Sequence, residues 1–140
     1  MSDFRDQPLR VLLLEDSRFD AELIREALRR HYPRAAVRVV CDEGRFTEQL
    51  RGGGLDLILS DYELPGFSGA QALELAQTLA PGLPFIFVSG VIGEDNAVEL
   101  LKRGATDYVS KSRLERLPVV LERALREAAE REGRGRAERQ

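Results

Sequence analysis

A chain of 140 residues with 43% hydrophobic and 32% charged residues has the size and composition of one globular domain with its own core. The net charge of −3 indicates neither nucleic acid nor a membrane surface as a partner, and no apolar run approaches a membrane span. The single cysteine, Cys41, excludes an intramolecular disulfide and fits a reducing cytoplasm. Because Cys41 ends an apolar run, we expect its thiol to be buried and structural.

Short apolar runs alternate along the chain with segments of helical periodicity. The apolar runs predict five strands, at residues 10–15, 36–41, 55–59, 84–89 and 107–110. The periodic segments predict five helices, at residues 18–31, 42–51, 69–79, 94–103 and 114–131. Ser17 is placed to cap the first helix, and Leu100 and Leu101 are predicted to face the core from the fourth. We expect a flexible leader at 1–8, one domain at 9–131 and a disordered tail at 132–140, where Gly, Arg and Glu dominate.

Strands that alternate with helices predict an α/β fold with a doubly wound parallel sheet and helices on both faces. For five strands, the flavodoxin-like order 2-1-3-4-5 is the natural choice. This order lines up the carboxyl ends of strands one, three, four and five along one edge of the sheet. Three carboxylates, a hydroxyl and an ammonium group follow these strand ends: Glu15, Asp16, Asp61, Ser89 and Lys111.

Phosphoryl transfer needs the kinds of group that gather at this edge. Carboxylates held close together repel each other unless a cation joins them, and Mg²⁺ prefers carboxylate, carbonyl and phosphate oxygens. Asp61 beside such an ion could attack a phosphorus centre and become an acyl phosphate. Lys111 and Ser89 would then hold the oxygens of the transferring group. Taken singly, each of these residues also has a structural explanation, as a turn residue, a helix cap or a solvated side chain. The same holds for the aromatic Tyr108 of the fifth strand, which could simply fill the core.

The motifs at these strand ends resemble those of the receiver domain of two-component response regulators, over roughly residues 9–129. The motifs are Glu15-Asp16, Ser60-Asp61-Tyr62-Glu63-Leu64-Pro65-Gly66, Phe87-Val88-Ser89-Gly90, Gly104-Ala105-Thr106-Asp107-Tyr108, and Lys111. The resemblance implies that Asp61 accepts a phosphoryl group from a phosphohistidine, with Ser89 and Lys111 binding the phosphoryl oxygens. It also implies a Mg²⁺ site made by Glu15, Asp16, Asp61 and the main-chain carbonyl of Glu63.

The same resemblance implies the partners and the output of the domain. The phosphodonor would be a sensor histidine kinase or a histidine phosphotransfer protein in the cytoplasm. Tyr108 would act as an aromatic switch that turns inward when Ser89 moves toward the phosphate, and a second copy of the chain is a further expected partner. We expect neither nucleic acid nor a membrane as a partner, and no turnover of a separate substrate. The chain would be a free-standing regulator or a receiver cut from a longer protein.

Position 112 departs from the family pattern. Receiver domains usually carry a proline in a cis peptide after the lysine, whereas Ser112 follows Lys111 here. A cis bond before a residue other than proline costs about 2.5–4 kcal/mol. We therefore expect a trans bond and a last helix that is set differently from the usual one.

Other functions on this type of fold remain as alternatives. The first is a receiver-like interaction module that works without phosphorylation, although such a module need not keep all the acids, Ser89 and Lys111. A phosphatase of the haloacid dehalogenase type would carry its nucleophile after the first strand and a second Asp two residues later, but that position is Arg18. Flavin binding fits less well, because the first strand–helix turn lacks a phosphate cradle rich in Gly, Ser or Thr.

Overall fold

The computed structural model describes residues 7–90 and 92–139, with the side chains of Glu94 and of 133–139 left out of that description. Most of the predicted flexible leader therefore lies outside the described residues. Within the described part, no helix is both long enough and apolar enough to cross a membrane.

Seven strands and five α-helices follow one another along the described chain. The strands are β1 Leu9–Leu14, β2 Ala35–Val40, β3 Leu57–Ser60, β4 Glu63–Leu64, β5 Phe67–Ser68, β6 Phe85–Ser89 and β7 Asp107–Ser110. The helices are α1 Arg18–His31, α2 Glu43–Gly52, α3 Gly69–Leu79, α4 Glu94–Lys102 and α5 Leu117–Arg139. A 3-10 helix at Lys111–Arg116 precedes α5.

Five of the strands form one parallel sheet in the order β2-β1-β3-β6-β7. This is the predicted order 2-1-3-4-5, so the doubly wound fold with helices on both faces is confirmed. Successive side chains of a strand point to opposite faces of the sheet, and both faces here are covered by helices. Val11 and Leu13 accordingly pack on the side of α1 and α5, while Leu12 and Leu14 pack on the side of α2, α3 and α4.

The ends of the helices follow from local chemistry. Ser17 is the predicted cap of α1, and its Oγ accepts a hydrogen bond from Asp20 N at 3.2 Å. All peptide bonds of the described residues are trans, including the bond before Ser112. After Lys111 the chain forms the 3-10 helix, and Arg113 within it has non-helical dihedral angles, so regular helix begins only at Leu117. The trans bond is as expected, whereas the different setting of the last helix stays a prediction.

Four details differ from the sequence-based expectations. Cys41 is exposed, not buried, because it follows the last residue of β2, which is an edge strand. Leu101 is exposed because the adjacent Leu100 occupies the position of α4 that faces the sheet. The β4–β5 hairpin was not predicted, since its two-residue strands are too short to produce a periodic pattern. Finally, the backbone of α5 continues to Arg139, into the segment 132–140 for which a disordered tail is predicted.

Candidate functional site

Asp61 is held by its backbone at the carboxyl end of β3. Its N–H donates to the carbonyl of Leu14 at 3.0 Å, and its Oδ1 accepts from the N–H of Tyr62 at 2.7 Å. The hairpin then returns the chain to this turn, where the N–H of Gly69 donates to the carbonyl of Tyr62 at 2.8 Å. A Cβ at Gly69 would lie 2.7 Å from the Asp61 carbonyl oxygen and 2.9 Å from Tyr62 Cα. Only glycine therefore lets α3 approach the Asp61 turn so closely.

Glu15 is the most deeply buried acid of this edge. Its N–H continues the sheet by donating to the carbonyl of Val40 at 3.0 Å, and its side chain is 1% exposed. Oε1 accepts a hydrogen bond from Ser17 N at 3.1 Å. Oε2 lies 2.8 Å from Lys111 Nζ as an ion pair, without an aligned hydrogen bond. Burial, together with the nearby negative charge of Asp61, raises the pKa of Glu15 against the opposing effects of Lys111 and of the Ser17 N–H.

Lys111 brings a single ammonium group among three carboxylates. Its Nζ lies 2.7 Å from Asp20 Oδ2, 2.8 Å from Glu15 Oε2 and 3.0 Å from Asp61 Oδ2. Burial acts to lower the pKa of Lys111, but the contacts with Asp20, Glu15 and Asp61 outweigh it and raise that pKa. The ammonium is therefore charged throughout the neutral range.

Asp20 is a member of this site that the sequence analysis missed. It lies in the first turn of α1, where an acid is ordinarily explained by the helix dipole. The sequence feature that could have identified Asp20 is its position one turn after the Glu15-Asp16 pair. A helix that starts at the carboxyl edge of the sheet keeps its first turn near that edge.

An acidic cluster forms where a metal ion was expected. One carboxylate oxygen from each of Glu15, Asp16 and Asp61 lies within 4.8 Å of the others. With Asp20, the described group holds four carboxylates, and the ion pairs described for it supply one ammonium, that of Lys111. The buried Glu15 Oε2 also lacks a hydrogen bond. An oxygen-rich, negatively charged set of this kind fits Mg²⁺.

The remaining predicted site residues occupy neighbouring positions. Ser89 ends β6, is 4% exposed and pairs in register with Ser110, the residue before Lys111. Glu63 opens the β4–β5 hairpin two residues after Asp61, and its side chain is exposed. Tyr108 pairs in register with Phe87 and packs half-buried on the sheet face covered by α2, α3 and α4. Glu15, Asp16, Asp61 and Lys111 are thus brought together directly, while Ser89 lies at the same edge.

The fold and this edge define the class of the protein: it is a doubly wound, flavodoxin-like α/β domain of the receiver type. The chain matches the family model for the response regulator receiver domain over residues 11–122, and it belongs to this family. The resemblance inferred from the strand-end motifs is thereby confirmed.

Relatives and solved structures agree with this membership. The chain is 30% identical over 112 residues to a protein-glutamate methylesterase/protein-glutamine glutaminase of Xanthomonas oryzae pv. oryzae, and the match covers 79% of the chain but only 31% of the enzyme. A receiver domain protein (CheY-like) from Methanospirillum hungatei superimposes with a TM-score of 0.78 at 25% identity, covering 89% of this chain and 99% of that one.

A second similar structure was solved with an ion in its cleft. It is the receiver domain of a sensor histidine kinase from Pseudomonas aeruginosa PAO1, with magnesium coordinated in the active site cleft. Its TM-score is 0.73 at 23% identity, covering 85% of this chain and 98% of that one. At this identity the likeness concerns the fold alone.

Proposed function

We propose that this domain accepts a phosphoryl group on Asp61 from a phosphohistidine and uses the modification to switch a protein-binding surface. The observation that carries the proposal is the contact of Asp61 Oδ2 with Lys111 Nζ at 3.0 Å, beside the acidic cluster. Family membership supports the same chemistry. A receiver-like module that works without phosphorylation would have no need to hold a buried Glu15 and a shared ammonium at this edge.

The transfer is a displacement at phosphorus in which Asp61 is the nucleophile. A carboxylate oxygen of Asp61 forms the new P–O bond while the P–N bond to the donor imidazole breaks and its electron pair returns to the ring nitrogen. Lys111 stabilises negative charge on the phosphoryl oxygens, and the Ser89 hydroxyl donates a hydrogen bond to one of them. Bound Mg²⁺, held by Glu15, Asp16, Asp61 and the Glu63 carbonyl, would neutralise further charge on the same oxygens.

The proposal includes the donor and the setting. The donor is a sensor histidine kinase or a histidine phosphotransfer protein in the cytoplasm, and the domain turns over no separate substrate. Phe19, one residue before Asp20, is 71% exposed and offers an apolar contact to a partner docking at this edge.

Incubation of the wild-type protein with acetyl phosphate and Mg²⁺ should add the mass of one phosphoryl group. We expect the adduct to map to the peptide that contains Asp61 and to disappear when the metal is chelated, because charge neutralisation drives the reaction. Intact-mass and peptide mass spectrometry make the measurement. An adduct that forms equally well in chelator, or one located on a Ser or Thr hydroxyl, would contradict the proposal.

The output step is a shift between two packings of the domain. A phosphoryl group on Asp61 would draw the Ser89 hydroxyl inward and free space that Tyr108 can occupy. The change would reach the surface of α4, β7 and α5, where Val98 and Leu101 are 46% and 43% exposed and could contact a reader protein or a second copy of the chain.

Backbone NMR with and without beryllofluoride, a mimic of the phosphoryl group, should show this shift. We expect the largest changes in amide chemical shift at Gly90, Ile92 and Tyr108 and along α4, because the hydrogen bond to Ser89 pulls this segment. Smaller changes are expected along α5. If the amide shifts of the loop at Asp61 change while those of Tyr108 and α4 do not, the proposed switch is wrong. Acceptance of a phosphoryl group by Asp61 would not be contradicted by that result.

A further inference from the structure

We infer that Asp20 is a positioning residue of this site, which keeps the Lys111 ammonium directed at Asp61 while metal and phosphoryl group occupy the other carboxylates. The inference rests on the proposed function. It starts from the coordination of Nζ: an ammonium has three N–H donors, and three carboxylate oxygens surround this one at 2.7, 2.8 and 3.0 Å. The shortest of these contacts is the one to Asp20.

The three partners of Lys111 do not stay equivalent during the reaction. Asp61 becomes an acyl phosphate, so its carboxylate charge is lost as the P–O bond forms. Glu15 belongs to the acidic cluster, which would hold the cation, so its carboxylate would be engaged by that ion. Asp20 lies outside that cluster, so its Oδ2 alone stays available as an acceptor for Lys111 throughout the reaction. The third donor of Nζ, which points to Asp61 Oδ2, is then the one available to a phosphoryl oxygen.

Asp20 is itself held on a rigid element. Its N–H is bound by the capping Ser17 Oγ at 3.2 Å, and the next residue, Ala21, is buried against the sheet. Lys111, in contrast, has a long side chain with four rotatable bonds and starts at the first residue of the 3-10 helix. An anchored carboxylate can therefore orient a flexible ammonium, and misplacement of such a group by about 1 Å can cost on the order of 100-fold in rate.

Two substitutions separate the position of the oxygen from its charge. Asp20→Ala removes both, whereas Asp20→Asn keeps an oxygen acceptor at the same place and removes only the charge. Glu26→Ala is the matched control: it removes one acid from the same helix, and Glu26 contacts only Arg30, at 3.1 Å, among the hydrogen bonds and ion pairs described for its side chain. Each variant is incubated with acetyl phosphate at saturating Mg²⁺, and its phosphorylation rate is followed by intact mass.

We expect Asp20→Ala to slow phosphorylation about tenfold, Asp20→Asn to stay within about threefold of wild type, and Glu26→Ala to match wild type. Loss of negative charge alone would instead speed the approach of an anionic donor in both Asp20 variants. An Asp20→Ala protein as fast as wild type, or equal slowing by Ala and Asn, would overturn the positioning role. A wild-type protein that takes up no phosphoryl group would instead overturn the proposed function.

A second measurement observes the Lys111 ammonium group directly, by NMR. The chain contains only two lysines, Lys102 and Lys111, so a side-chain NMR spectrum of the ammonium groups contains two signals. With Mg²⁺ and beryllofluoride bound, the Lys111 signal should be shifted and protected from proton exchange in wild type and Asp20→Asn. In Asp20→Ala it should exchange as fast as that of Lys102, which is exposed. An unchanged, protected Lys111 signal in Asp20→Ala would overturn the inference.

Discussion

Replacement of Lys111 by Ala is expected to destabilise the metal-free domain by about 3 kcal/mol, because it leaves a buried carboxylate without its counterion. Glu15 is the carboxylate that loses its counterion, since its side chain is 1% exposed and its Oε2 lies 2.8 Å from Lys111 Nζ. The same change should slow phosphorylation of Asp61 by about 100-fold or more, since one cation that stabilises the developing charge is gone. Chemical denaturation and intact-mass kinetics measure the two effects.

Lys102→Ala is the matched control, because Lys102 is the only other lysine and is exposed at the end of α4. Its effect on the free energy of unfolding should be within about 0.5 kcal/mol. Mg²⁺ should stabilise Lys111→Ala more than wild type, since the ion supplies the missing positive charge. If Lys111→Ala and wild type have the same free energy of unfolding in chelator, the ion pair with Lys111 does not stabilise the buried Glu15 carboxylate, and the prediction is wrong.

The stability of the Lys111 variant should also depend on pH in a defined direction. The pKa of Glu15 is already raised by burial, so its ionisation costs folded-state stability as the pH rises through that pKa. Without Lys111 this pKa should rise further, and the variant should recover part of its lost stability as the pH falls from 7 toward 5. In wild type, the raised pKa of Lys111 keeps its contribution intact until strongly alkaline pH.

Addition of Mg²⁺ should raise the unfolding free energy of the wild-type protein and leave Asp61→Asn nearly unchanged. At ten times the dissociation constant, the expected gain is about 1.4 kcal/mol. In chelator, Asp61→Asn should be at least as stable as wild type, because one of the three clustered carboxylates of Glu15, Asp16 and Asp61 loses its negative charge and the repulsion among them falls. Thermal melts across a Mg²⁺ series in both proteins give the comparison.

Asp95→Asn provides the control for general charge effects, since Asp95 is an exposed acid in the first turn of α4 and not a member of the acidic cluster. It should respond to Mg²⁺ as wild type does. A melting temperature of the wild-type protein that is indifferent to millimolar Mg²⁺, or an Asp61→Asn protein stabilised as much as wild type, would count against the metal site.

The parts of the site that could be predicted are those governed by strand ends. Apolar runs predicted all five strands of the sheet, and the rule that functional groups gather at the carboxyl edge then selected Glu15, Asp16, Asp61, Ser89 and Lys111. The structure brings four of these into one group and places Ser89 at the same edge. Their assigned roles stay predictions until the proposed measurements are made.

The features of the site and the fold that were not predicted from the sequence depend on contacts between segments that are distant along the chain. Asp20 is 91 residues from Lys111 along the chain, and nothing in the local pattern of α1 distinguishes it from an acid that serves the helix dipole. Gly69 looked like an ordinary helix start, and only the closeness of the Asp61 turn shows why a side chain cannot fit there. The exposure of Cys41 likewise follows from the edge position of β2, which is a property of the assembled sheet.

The sequence by itself determined the order of strands and helices, the family and the residues available at the carboxyl edge, because hydrophobic periodicity and strand ends are local features. Only the tertiary structure decided how charge is distributed there. Crossovers bring α1 and the segment after β7 to the same edge, so one ammonium faces three carboxylates instead of one. Electrostatic energies depend on distances through space and on burial, and neither can be read from positions along a chain.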